Sequence, residues 1–264
     1  YVDVPTEAVF SPLSSGNTIT VSAWIKPEKR GGFVVSKYGN NNPGASNFGI
    51  YYTSNGYIRV VGTGTDDLTT TAIVPMNEWT HITAIMQAGT NNTKIYINGV
   101  LETQGTVTYN AANGPYSLKV GAVGTSDTWY QGSVDEVSIW DTYLTEPEIK
   151  AFMQAPLKGT EEHLLAYYDF NIGNAGKDNT GLTTVYDKTQ NGRNGTLFNY
   201  AALSGNTSNY VKTGASIQPE FVSAVTTQTE LTINWNCGGA PDNYLLTVST
   251  DPLLRTTLEG YDKL

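Results

Sequence analysis

Cysteine, histidine and clustered positive charge are nearly missing from this chain. One cysteine, Cys237, stands among 264 residues, so no internal disulfide can form and any exported form must be stable without one. The two histidines, His81 and His163, have no neighbouring Ser or Cys pattern of an activated nucleophile and read as ordinary strand or loop residues. Lys and Arg number 15 against 24 Asp and Glu, a net charge of -9, and no basic run occurs, which excludes the electrostatic footprint of a nucleic-acid binder. No apolar run approaches the roughly 20 residues that span a bilayer, so no membrane span is expected. No signal-peptide pattern is read in the first residues, and an export signal is expected to have been removed or to lie outside this sequence.

What is abundant is the chemistry of strands and turns. Gly 27, Tyr 17 and Trp 5, with a charged fraction of only 15%, describe aromatic-bearing strands rather than helices, and the length suffices for a large core. From Thr18 the pattern has period two, with Ile19, Val21, Ala23 and Ile25 on one face and Thr20, Ser22 and Trp24 on the other. Phe33 to Lys37 reads as a second strand, and Phe48 to Tyr52 pairs with Tyr57 to Val61 across the Asn55-Gly56 turn. Trp79 to Met86 and Lys94 to Ile97, followed by the Asn98-Gly99 turn, continue the series, as does Tyr116 to Val123. Gly132 to Asp141, Gly-Ser-Val-Asp-Glu-Val-Ser-Ile-Trp-Asp, alternates as a closing strand, and adjacent Asp135 and Glu136 are expected to leave opposite faces. Thr145-Glu146-Pro147-Glu148 is a capping box that starts a short helix through Ile149, Phe152 and Met153.

The closing strand and its helix start, with Trp79-Thr80-His81-Ile82-Thr83-Ala84 and Ile95-Tyr96-Ile97-Asn98-Gly99, resemble the signature of laminin G-like and pentraxin-like jelly rolls. The resemblance covers Tyr1 to about Ala155. It implies an all-β, concanavalin A-like jelly-roll sandwich with one short helix. The family's early strand motif is met late here, as Leu164 to Gly173 followed by Val185 to Leu197. Either this segment completes the first sandwich as a circularly permuted strand, or it opens a second one. The first account is preferred, since no second Trp strand or closing strand follows and an orphan strand would expose an unpaired edge. Expected boundaries are a sandwich over 1–212, with 160–212 supplying the permuted strand, and a linker over 213–219. Residues 220–264 resemble the start of an immunoglobulin-like fibronectin type III sandwich, through Phe221 to Val225, Leu231 to Trp235 and Tyr244 to Ser249. Such a module needs about 100 residues, so the chain is expected to be an excerpt of a longer protein.

The fold hosts enzymes and binders alike. Glucanases of the family carry a Glu-x-Asp-x-Glu strand whose outer carboxylates cooperate at about 5 to 5.5 Å; that spacing does not occur in this chain, so no enzyme is expected. The resemblance implies a structural calcium ion between Asp135 and Asn171, the latter standing where the family has an Asp. Calcium wants six to eight oxygens, and the alternative is a hydrogen-bonded Asp bracing a loop. Asp187 with Asn191 is a second candidate, or a tight turn. By the same resemblance, ligand contacts fall on Tyr38, Asn40, Asn41 and Asn42 in one loop and on Asp127, Trp129 and Tyr130 in another. Aromatic faces and planar amides suit a pyranose; the alternative is that Trp129 and Tyr130 pack under their own loop. The expectation is a non-catalytic carbohydrate-binding or adhesion module of a large bacterial protein, secreted or held at the cell surface, with a glycan or matrix ligand and with outer-membrane export machinery as a further partner. A structural spacer, a protein-binding module as in gliding adhesins, and an accessory domain of a polysaccharide-degrading enzyme are the alternatives.

Overall fold

The computed structural model describes residues 1–5, 7–10, 18–39, 46–63, 66–90, 92–110, 114–124, 128–173, 177–198 and 214–215, and the backbone of 220–226 and 231–236. In chain order the strands are β1 (Val2–Val4), β2 (Ile19–Pro27), β3 (Phe33–Lys37), β4 (Phe48–Tyr52), β5 (Ile58–Val61), β6 (Leu68–Thr69), β7 (Thr80–Met86), β8 (Thr93–Ile97), β9 (Val100–Gly105), β10 (Leu118–Val120) and β11 (Gly132–Trp140). Helix α1 (Glu146–Gln154) follows, then β12 (Leu164–Tyr168), β13 (Thr184–Val185), β14 (Gly195–Leu197), β15 (Glu220–Thr226) and β16 (Leu231–Asn236). Among the described residues no helix is long and apolar enough to cross a membrane.

Two antiparallel sheets face each other. One runs β13-β14-β1-β10-β3-β4-β5-β6 and the other β12-β11-β2-β7-β8-β9. Alternation decides what lies between them. Ile19, Val21, Ala23 and Ile25 of β2 join Val2, Val4, Ile50, Tyr52, Ile58, Val60, Leu118 and Val120 in one buried cluster. Asn-Gly turns close two hairpins as the sequence predicts. Gly56 has φ +89°, and Asn98 and Gly99 have +48° and +74°, the left-handed pair that matches the twist of the strands beside it.

The segment after the helix completes both layers. β12 pairs antiparallel with β11, Tyr168 opposite Val137 and Leu164 opposite Trp140, and β14 pairs with β1, Leu197 opposite Val2. No second sandwich opens at Leu164. β15 and β16 form an antiparallel pair of their own, where strands are expected from the sequence; the third strand expected there, Tyr244 to Ser249, lies outside the described residues.

The outer face of the six-stranded sheet is covered as well. Glu148 Oε2 accepts from Thr145 N at 2.7 Å and from Thr145 Oγ1 at 2.6 Å, fixing the start of α1. The helix then lays Phe152 on Trp140, ring centroids 4.9 Å apart, within a second cluster that includes Ile85, Tyr96, Ile149 and Tyr167. Hence Thr20 and Ser22, on the polar face of β2, are buried too. The opposite sheet has no helix on its outer face among the described residues, and its exposed aromatics mark the candidate site.

Candidate functional site

On the outer face of the eight-stranded sheet, aromatic side chains follow one another across the strands. A bulge between Phe33 and Val35 lets both Val34 and Val35 enter the core, and Phe33 turns outward opposite Tyr51. Tyr38 stacks on Phe33, centroids 5.7 Å apart, and with Val61 and Val123 they form a separate small cluster. Trp129 pairs with Phe33 through a parallel bridge. Its indole stacks on Tyr1 at 5.2 Å, and Tyr1 stacks on Phe198 at 5.4 Å. Trp129 is 36% exposed and Phe198 41%. Backbone bonds tie the row, Tyr1 N donating to Phe198 O at 3.0 Å and Phe198 N to Tyr1 O at 2.9 Å. Lys119 Nζ sits 4.8 Å above the Tyr1 ring and donates to Asp3 Oδ2 at 2.7 Å.

Trp129 is therefore on the surface, while its neighbour Tyr130 takes the packing role. Tyr130 belongs to the main core, and burial pushes its hydroxyl pKa upward. It is too enclosed to touch a ligand on the rim. Tyr38, also buried, supports Phe33 from below, and burial followed by the charge of Asp67 raises its pKa. Asn40, Asn41, Asn42 and Asp127 lie outside the described residues. Tyr1, Phe198 and Lys119 escaped the sequence reading, because only the pairing of β14 with β1 brings Phe198 to Tyr1.

The proposed ion pair looks different in three dimensions. Asp135 is buried, and each of its carboxylate oxygens already takes a backbone N–H, Oδ1 from Glu136 at 3.0 Å and Oδ2 from Ala215 at 2.9 Å. Burial, chiefly, pushes its pKa up to about 6. Asn171 lies past the end of β12 and is exposed; the acid that bears on Asp135 is Asp169, itself paired with Lys188 at 2.9 Å. Among the described residues no group of three or more His, Cys, Asp or Glu side chains is placed to hold an ion. Calcium takes six to eight oxygens, and the described residues around Asp135 do not bring such a set together. Asp187 likewise serves a turn: it accepts from Tyr167 N, Thr189 N, Thr189 Oγ1 and Arg193 N.

Asp135 and Glu136 do not leave opposite faces of a regular strand, as their adjacency suggests. Asp135 pairs with Trp24 and Ser138 with Ser22, so Glu136 and Val137 together oppose Ala23, a β-bulge. Glu136 takes φ +51°, and its carboxyl is buried, Oε2 accepting from Tyr167 Oη. Burial first, and Asp135 second, push Glu136 up to about 8. The fold also gives His81 a serine neighbour that the sequence concealed, Ser22 Oγ lying 2.9 Å from His81 Nε2. Both are buried behind α1, and Ser22 Oγ is also shared with Thr83 Oγ1 at 2.9 Å; His81, driven down to about 3 by burial, is neutral. An enclosed pair of this kind cannot reach a substrate. His163 is at the surface, 2.9 Å from Asp141.

The family model described as the concanavalin A-like lectin/glucanases superfamily matches residues 1–150. The chain belongs to this superfamily. Among solved structures that resemble it, a protein from Bacteroides ovatus named for carbohydrate binding aligns with a TM-score of 0.51 at 18% identity, over 74% of this chain and 54% of that one. The chain thus spans about half of that protein's length. A native heptameric pentraxin from Limulus polyphemus aligns at TM-score 0.42 and 16% identity, over 57% of this chain and 80% of that one. Domain 4 of an extracellular arabinanase from Geobacillus stearothermophilus, solved with arabinotriose, gives 0.40 and 20% over the same shares. No curated protein sequence matches the chain. At 18% identity the Bacteroides ovatus protein shows the fold alone, and the superfamily's description names both lectins and glucanases.

Proposed function

We infer that this member of the concanavalin A-like superfamily is a non-catalytic carbohydrate-binding module. The observation that carries the reading is the stack of Trp129, Tyr1 and Phe198 on the outer face of the eight-stranded sheet. Exposed rings with apolar faces and a hydrogen-bonding margin bind the C–H face of a pyranose. Asp3, half-buried and paired with the buried Lys119, borders the stack. The name of the Bacteroides ovatus protein, which shares the fold, points the same way. The buried carboxyls of Asp135 and Glu136 lie elsewhere, on the other sheet, so a glycan on the aromatic stack would not meet that pair. The reading includes the wider context expected from the sequence: an exported bacterial surface protein in which the sandwich precedes a fibronectin type III module and gains strength by repetition.

A glycan array followed by titration of intrinsic fluorescence tests this. Bound oligosaccharide is expected to shift the emission of the chain, and Trp129→Ala is expected to abolish the shift. An array on which no glycan binds, with the chain shown to be folded, would overturn the reading in favour of a spacer or a protein-binding module.

A further inference from the structure

After β14 the chain comes back to the six-stranded sheet. Phe198 exchanges backbone hydrogen bonds with Tyr1 on the eight-stranded sheet, whereas the Ala215 N–H donates to Asp135 Oδ2 of β11 at 2.9 Å, a buried bond between residues 80 positions apart. Ala215 is only 1% exposed. It falls in Thr213 to Pro219, a Gly/Ser/Pro stretch with the composition of a linker, yet at this point the chain is held by the sandwich.

The bulge of β11 supplies the acceptor. With regular pairing to β2 broken between Asp135 and Ser138, Asp135 turns Oδ1 back on its own strand and accepts from Glu136 N at 3.0 Å. Its other oxygen takes the donor from outside the sheet. An amide in this place would offer one accepting oxygen beside a nitrogen that only donates, so a carboxylate is what serves both backbone groups. We propose that Asp135 is an anchor that straps the departing chain to the sandwich at Ala215 and keeps the module beginning at β15 on a short tether.

Chain lengths decide how much the strap matters. Without it, a free coil from Phe198, where β14 has ended, to Glu220, where β15 begins, would spread over about 26 Å. Held at Ala215, the remaining coil to Glu220 spreads over about 12 Å and reaches at most about 18 Å when fully extended. Because effective concentration falls as the three-halves power of tether length, the strap raises that of the sandwich and the next module for each other about ninefold. Two neighbouring modules are thereby kept at a limited spacing by one carboxylate.

Amide hydrogen exchange and paramagnetic relaxation on the full chain test the proposal. The Ala215 N–H is expected to exchange about a hundredfold or more slower than an open-chain amide in wild type, and to lose that protection in Asp135→Ala. An unprotected Ala215 amide in the folded wild type would overturn the strap, as would full protection in a folded Asp135→Ala. For the tether, Glu220 pairs with Asn236 across β15 and β16, and Asn236 is followed directly by Cys237, the one cysteine of the sequence. A nitroxide on Cys237 is expected to broaden the amides around Asp135 in wild type, and to broaden them less in Ala215→Pro, which deletes the donor and leaves Asp135 in place. Equal broadening in the two proteins, or none in wild type, would also overturn it; should Asp135→Ala not fold, Ala215→Pro gives the comparison.

Discussion

Trp129 and Tyr1 stack at a centroid distance of 5.2 Å, joining the loop before β11 to the first strand of the opposite sheet. If this contact is the centre of a glycan platform, removing the indole takes away binding without the fold. Trp129→Ala is expected to weaken oligosaccharide affinity by about 2 kcal/mol or more, roughly thirtyfold in Kd, while unfolding free energy moves by only about 1 kcal/mol. Titration calorimetry and urea unfolding on the same preparation separate the two. Equal affinity in both proteins would remove Trp129 from the site.

The position of Trp129 depends on Gly32. That residue has φ +121°, and a Cβ there would strike Trp129 O and Tyr130 Cα. Gly32→Ala combines a strained backbone with a collision against main chain, so a loss of about 2 kcal/mol in stability is expected, together with a red shift of tryptophan emission as the loop lifts. A variant as stable as wild type would mean that the loop reaches its place without that close approach.

Much of this was legible in the sequence, and the limits have physical causes. Period-two runs and Asn-Gly turns located the strands because the sandwich buries one face of each, and Thr145 to Glu148 announced α1 through its capping box. The bulge at Glu136 was hidden because the extra residue is defined by the partner strand: Glu136 and Val137 oppose Ala23 only once β2 is in register. Ser22 and His81 met for the same reason, across β2 and β7. Motif position chose Asn171 as the partner of Asp135, yet β12 ends at Tyr168 and Asn171 falls beyond the sheet at the surface.

That geometry bears on calcium. Each Asp135 oxygen takes one backbone N–H, from Glu136 or from Ala215, and among the described residues no group of three or more His, Cys, Asp or Glu stands ready to complete an ion's shell. Adding calcium to EDTA-treated protein is therefore expected to leave the melting temperature unchanged. A rise that grows with calcium concentration would show linkage to a bound ion and reopen the site.

Glu136 contributes to the pH dependence of stability on the alkaline side. Its pKa is raised from 4.5 to about 8 in the folded state, so between these values the folded chain holds a proton that the unfolded chain has lost. The stabilisation is complete below about 4.5 and disappears as pH rises through about 8. Asp135, raised from 3.8 to about 6, adds a like loss at lower pH. His81 acts in the opposite direction: lowered from 6.5 to about 3, it contributes stability above 6.5 that is lost as pH falls toward 3. Between about 6.5 and 8 only Glu136 of these three still titrates differently in the two states. The Tyr1 amino group, lowered from 8.0 to about 6 by burial and then by Lys119, acts against Glu136 across this window, so the readout is the difference: in urea unfolding wild type is expected to lose up to about 1.4 kcal/mol per pH unit relative to Glu136→Gln, which keeps an acceptor for Tyr167 Oη. Parallel slopes in the two proteins would mean that another group carries the proton.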